Sequence, residues 1–492
     1  MAGIGFELRK LYRESGLFSS LQAYAYSSIV TVGPMICCMV MIIGLQQLLE
    51  RFGVSYAERE LFLGAVVYAF VFSILLTNGI LLMLTRFVSD KLYLKQYTYI
   101  LSAWYGAMIV CLSAGGLIGA VFLYVSPVAW SVKLTAYLLY MELIIIWSQS
   151  LFISALQEYM KIVKAFTIGA VVCLLLAYFL IEVMEIRLAV SMLIALDVGF
   201  FATGSLLMVQ LERTFWVEKR ASVFAFLSYV RKFPSLFWIG LFTSFGLYIH
   251  QFIYWFASPY GITVEGTFRI APFYDTAVFY AFITIIPSMV IFVVSMETQF
   301  YAKFKEYYQT ILTGGSINDI LRARKEMIAV MLQEVGFLMG VQLIFSVIGI
   351  AAGIKFLPRI GFTAEQLETY NILVCGFFVY IVGTLLQLML LYFDDRKGVL
   401  MLVGAFVLLN TVLNIWLLPV NNHGLAFFIA SFLMVIGSLA RLIYILRNIN
   451  YYTFSAQPIY VEKPRPLTLD SMKRLLRRKQ KRTSMTIRGE EN

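Results

Sequence analysis

The sequence predicts an all-α polytopic membrane protein of about twelve transmembrane helices in two six-helix lobes, and three observations lead there. Hydrophobic residues make up 61% of the 492-residue chain and charged residues 14%, which leaves too little polar surface to keep a globule of this size in water. The apolar residues fall into about twelve runs, each near the ~20 residues a helix needs to cross the hydrocarbon layer. Short polar hinges separate the runs, and helices are the natural unit because lipid offers the backbone no hydrogen-bond partners.

In chain order the expected spans are 23–48, 61–87, 100–125, 134–156, 165–183 and 189–211, then 235–256, 276–296, 327–354, 372–393, 399–420 and 425–446. The stretch 212–234 is polar and basic and divides an N-lobe, 23–211, from a C-lobe, 235–446. Six crossings before the divide give both halves the same orientation. Lys and Arg favour the side of the N-terminus, the even-numbered loops and the C-tail by about four to one, and by about three to one without the tail, so the positive-inside rule makes that side cytoplasmic. Both termini are then inside a cytoplasmic, or inner, membrane. The net charge of +11 follows from this asymmetry and from anionic lipid at the inner leaflet, so no nucleic acid is required as a partner.

Three segments stand outside the spans. Residues 1–22 space Phe6, Leu8, Leu11 and Leu17 among charges, the pattern of an amphipathic interfacial helix. The loop after the eighth span interleaves Phe300, Tyr301, Phe304, Tyr307 and Tyr308 with Lys303 and Lys305, a pattern expected at lipid headgroups. The tail 447–492 carries Lys473, Arg474, Arg477 and Arg478 beside Leu475 and Leu476, for contact with anionic lipid or a cytoplasmic partner.

Glu142, Asp197 and Glu334 sit within the fourth, sixth and ninth spans, where a charge costs at least about 2.5 kcal/mol, so each should face a cavity or a partner. Gln149 shares a helix face with Glu142, and Asn414 shares one with Asn410. Polar faces on several helices fit a hydrated lumen, although amides also bond between helices. His250 and Gln251 end the seventh span among Tyr248, Tyr254 and Trp255, a grouping that suits sugar rings and equally an interfacial aromatic belt. Gly33-Pro34 is expected to break the first span and Pro287 the eighth, as gate hinges or as packing kinks.

Catalysis finds no support in the sequence. There is no nucleotide-binding P-loop, zinc spacing or serine nucleophile elbow, and no cofactor or metal is expected. The longest external loop, 258–275, is too short for a catalytic domain. The five cysteines lie in apolar spans and read as packing residues.

Several stretches carry a family resemblance: MAGIGFELRKL at the start with Gly33-Pro34 behind it, TRFVSDKLY at 85–93, APFYDTAVFYAFITIIPSMVIFVVSMETQFYAKFKEYY at 271–308, YFDDRK at 392–397 and INYYTF at 449–454. In these the chain is similar to the PelG family of exopolysaccharide-export membrane proteins, within the superfamily of multidrug, oligosaccharidyl-lipid and polysaccharide exporters. The resemblance implies a MATE- or flippase-like two-lobed fold and a nascent polysaccharide rich in N-acetylgalactosamine as cargo, exported for biofilm matrix. It also implies a PelF-like cytoplasmic glycosyltransferase and PelD-like and PelE-like membrane subunits as partners, with cyclic di-GMP sensed by the PelD-like subunit.

The expected mechanism is a conduit through which synthesis pushes the polymer. Two alternatives stay open. One is a proton-coupled or lipid-linked-oligosaccharide flippase, with Glu142 and Asp197 as its proton site, since no acid lies in 23–48. The other is a scaffold that recruits and activates the glycosyltransferase.

Overall fold

The computed structural model describes residues 17–154, 159–186, 188–215, 222–420 and 422–455. Twelve of its helices are long and apolar enough to cross a membrane. The first half is built from α1 (Leu17–Arg51), α2 (Tyr56–Tyr93), α3 (Thr98–Val125), α4 (Trp130–Ser154), α5 (Tyr159–Tyr178) and α6 (Ala189–Phe215). A short α7 (Leu227–Lys232) precedes α8 (Pro234–Ala257), and strands β1 (Ile262–Val264) and β2 (Phe268–Ile270) form an antiparallel hairpin. Then come α9 (Pro272–Ile283), α10 (Ile286–Ser295), α11 (Tyr301–Leu312), α12 (Ile317–Phe356), α13 (Ala364–Tyr392), α14 (Arg396–Leu417) and α15 (Leu425–Arg447). Residues Met1–Ile443 form one compact unit and Tyr444–Asn492 a second. Within the second, α16 (Ile449–Ser455) is described, and Tyr452 lies against Tyr444 and Tyr451.

Local sequence explains where several helices start. Ser55 accepts from the Glu58 N–H at the head of α2. Ser316 with Asp319 and Thr363 with Gln366 form reciprocal capping boxes on α12 and α13. Asp395 caps α14 and also receives the Arg441 guanidinium from α15 in a forked pair at 2.6 and 2.9 Å. The hairpin turns through Glu265 and Gly266, both with positive φ, as a tight turn between twisted strands requires.

Several expectations are corrected. The first span is not broken at Gly33-Pro34: Pro34 lies inside a continuous α1. A Cβ on Gly33 would stand 3.2 Å from Val163, so the glycine admits a close approach of α5. The eighth span does break, between Ile283 and Ile286, with Pro287 in the first turn of α10, where its missing N–H costs nothing. Of the aromatics after it, several pack inside the protein rather than outward, while Tyr301 is exposed. Phe300 and Tyr307 are fully buried, and Phe300 and Phe304 pack on Tyr392 and Phe393. Cys37 is half-buried and Cys375 exposed, so only Cys38, Cys111 and Cys173 are buried packing residues. Of the interfacial helix expected over 1–22, residues 1–16 lie outside the described residues, and from Leu17 the chain is already in α1.

Candidate functional site

In the N-lobe, α4 packs along α6. Residues seven apart share a face of a helix, so Glu142 and Gln149 form one polar strip on α4, facing Asp197 and Gly204 on α6. Asp197 is within electrostatic reach of Glu142. The Gln149 carbonyl oxygen lies 3.7 Å from where a Cβ on Gly204 would sit, so the absent side chain leaves room for the amide. Asp197 and Gln149 are 7% and 1% exposed. Asp197 Oδ1, Glu142 Oε2 and Gln149 Oε1 are buried with no hydrogen-bond partner among the described residues. Buried acceptors without a protein donor are costly. What offsets them is a donor: water, a sugar hydroxyl, a proton or a cation.

The candidates of the C-lobe are placed differently. His250 is fully buried, with Nδ1 2.9 Å from the Tyr274 hydroxyl, while its Nε2 has no partner among the described residues. Gln251 donates to Asp275 Oδ1 at 3.2 Å. Asn410 donates to the Gly246 carbonyl at 3.0 Å across the α8–α14 contact, and Asn414 donates back to Asn410 at 2.7 Å. Glu334 receives the Ser295 hydroxyl at 2.5 Å. Apart from Asn414, which bonds within its own helix, these polar groups hold helices to one another, which is the structural use that interhelical amides also have. They do not converge with Glu142 and Asp197 into one strip.

Two residues that sequence reasoning passed over organise this lobe. Asp275, assigned to a loop, sits in the first turn of α9 and accepts from Gln251, from Trp255 Nε1 at 2.7 Å and from the Ala271 N–H at 2.9 Å. Its signal was an acid just after a proline that opens a helix. His423 bridges the Tyr254 hydroxyl at 2.9 Å and the Tyr260 hydroxyl at 3.3 Å, and Tyr260 donates to Glu365 at 2.8 Å. That carboxylate, with some help from burial, raises the Tyr260 phenol above its ordinary range. Tyr254 and Tyr274 stack with ring centroids 3.6 Å apart.

Among the lipid or partner contacts, Lys303 is already paired with Glu306 at 2.9 Å and Glu326 at 2.7 Å, so its charge is compensated within the chain. Lys305 is exposed. Lys473, Arg474, Arg477 and Arg478 lie outside the described residues.

The architecture has solved counterparts. The eukaryotic MATE transporter AtDTX14 superposes with a TM-score of 0.58 at 14% identity, covering 88% of this chain and 98% of that one. A mutant MATE crystal structure gives 0.62 at 10% identity over 87% and 96% of the two chains. A MOP superfamily transporter from Pyrococcus furiosus Vc1 gives 0.54 at 12% identity over 87% and 96%. These likenesses show the fold, which this chain shares with MATE and other MOP superfamily proteins. No curated protein matches the sequence. The family profile described as "PelG: Putative exopolysaccharide Exporter (EPS-E)" matches residues 1–454. With nearly the whole described chain inside that match, the protein belongs to the PelG family.

Proposed function

We propose that this chain is the membrane path for a Pel-like exopolysaccharide rich in N-acetylgalactosamine, taken from a PelF-like glycosyltransferase at the cytoplasmic face of the inner membrane. The charge asymmetry of the loops supports that orientation, with both termini inside. PelD-like and PelE-like subunits complete the assembly in this reading, and they rest on the family resemblance.

The observation that carries the reading is the strip of open acceptors between α4 and α6: Glu142, Gln149 and Asp197. A sugar polymer is dense in hydroxyl and amide donors, and a path for it must replace the hydrogen bonds it leaves behind in water. The test is secretion in cells that carry Glu142→Ala or Asp197→Ala at normal protein abundance. Secretion falls if the strip serves the path; unchanged secretion removes both residues from it.

The same strip favours a second reading, ion coupling. Two carboxylates within electrostatic reach, one buried and one half-buried, repel, and a proton or cation relieves that repulsion. Vesicles with the transferase outside and labelled polymer scored inside, with and without a proton gradient, separate the two: a conduit fills them in both states, whereas antiport needs the gradient. Deleting 463–492 tests the scaffold alternative, because a scaffold loses transferase recruitment and a conduit keeps translocation when the transferase is in excess.

A further inference from the structure

The two lobes meet along α2 and α8, and this seam is tied at three depths. On the basic face, the Phe233 ring lies under the Arg86 guanidinium of α2 at 5.6 Å and under that of Arg396 at 4.6 Å. Beside it the Tyr229 hydroxyl donates to Asp90 at 2.9 Å. Near the middle, Asn78 donates to the Gly240 carbonyl at 3.1 Å and to the Ser244 hydroxyl at 2.6 Å. The backbones touch there: a Cβ on Gly79 would meet the Phe237 carbonyl at 3.0 Å. On the opposite face the β1–β2 hairpin crosses onto the N-lobe. The Tyr68 hydroxyl donates to the Arg269 carbonyl at 3.0 Å and accepts from its N–H at 2.9 Å. Ser126 and Thr267 share a hydrogen bond at 2.6 Å. Phe268 is buried against Gly64, and Tyr68 stacks on Trp255, whose indole Asp275 holds.

We propose that α2, α8 and the hairpin form a permanent spine, with the hairpin as its strap, about which the lobes pivot without separating along this seam. The inference rests on the transport reading and restricts how transport is done. A lobe that swung fully away along this seam would break hydrogen bonds, aromatic stacks and backbone packing at all three depths together. The second interlobe contact is of another kind. There α1 packs on α10, the half-helix beyond the break at Thr284 and Ile285, so the segment facing α1 can turn about a break that neither α2 nor α8 has.

The test is the double variant S126C/T267C. The two hydroxyls are in contact, so sulfurs in their place fall within disulfide reach. Cells carrying it are oxidised with copper phenanthroline, the bond is verified by peptide mass, and half are then reduced with dithiothreitol. The spine predicts a formed disulfide and no loss of secretion. A loss that dithiothreitol reverses overturns it, and so does a correctly inserted protein in which the disulfide does not form. Should that variant fail to accumulate, N78C/S244C carries the same test at mid-depth. Secretion by the unaltered chain against cells lacking it reads the export function separately. Spin labels at Lys95 and Arg231, on either side of the seam, give a readout that needs no transport, with Cys37 and Cys375 replaced by serine. One narrow distance in nanodiscs supports the spine, and two distances overturn it.

Discussion

The two lobes treat their intramembrane carboxylates in opposite ways. In the C-lobe, Asp275 collects three donors and Glu334 one. In the N-lobe, half-buried Glu142 and buried Asp197 are within electrostatic reach of each other, and each has a buried oxygen with no hydrogen-bond partner among the described residues. The C-lobe acids are used for assembly, whereas the N-lobe acids keep oxygens that no donor among the described residues satisfies. On the proposed reading, the C-lobe network holds helices in register and the N-lobe strip serves the cargo or an ion. This contrast can be broken by substitutions that ought to affect stability in one lobe and transport in the other.

The largest effect belongs to Asp275→Ala. It strands the Trp255 indole N–H, the Gln251 amide and the Ala271 N–H together, and each buried group left unpaired costs about 1–3 kcal/mol. Thermal unfolding of the purified protein in detergent should fall by ~3 kcal/mol or more, and Asp275→Asn, which keeps one acceptor, by less. A protein as stable as the unaltered chain would mean that the C-lobe acid is no more structural than those of the N-lobe. Asp197→Asn and Glu142→Gln should do the reverse. Secretion should fall about tenfold, equivalent to ~1.4 kcal/mol on the translocation barrier, while unfolding stays unchanged or shifts upward, because a buried charge without a partner has been removed. Loss of stability in step with loss of secretion would erase the distinction between the lobes.

How far the sequence reveals this division follows from what kind of signal each feature leaves. Twelve spans are legible because each helix carries its hydropathy within about 20 consecutive residues. The intramembrane acids are legible for the same reason, as exceptions within those runs. Whether an acid is satisfied is not legible, because its partners come from other helices: Trp255 and Gln251 reach Asp275 from α8. Proline is ambiguous in the same manner. Pro287 and Pro34 look alike in sequence, yet one opens a half-helix and the other sits within a continuous one, where Gly33 gives close contact with α5. The hairpin left a fainter trace, a Val-Glu-Gly-Thr turn between strands of three residues, too short for an alternating pattern to register.

A smaller effect tests the boundary between the lobes. Tyr68→Phe removes the hydroxyl that serves both backbone groups of Arg269 and leaves the stack on Trp255 in place. Since Arg269 is exposed, water replaces part of what is lost, and the cost should be about 1 kcal/mol. Faster hydrogen exchange should be confined to the 262–270 hairpin. Exchange that rises across α9 as well would tie the strap to the C-lobe core more firmly than its contacts imply.

The smallest change is the most discriminating for the N-lobe. A Cβ on Gly204 would meet Ile146 at 3.5 Å and the Gln149 oxygen at 3.7 Å, both ordinary contact distances, so Gly204→Ala fits without displacing a neighbour. Exchanging glycine for alanine inside a helix is worth up to about 1 kcal/mol, and unfolding should move up by a few tenths to that amount. The same methyl sits against an acceptor that the proposed path leaves open for cargo, so secretion should drop even as the protein becomes more stable. A variant that gains stability and secretes normally would place Gln149 outside the path and confine the working strip to Glu142 and Asp197.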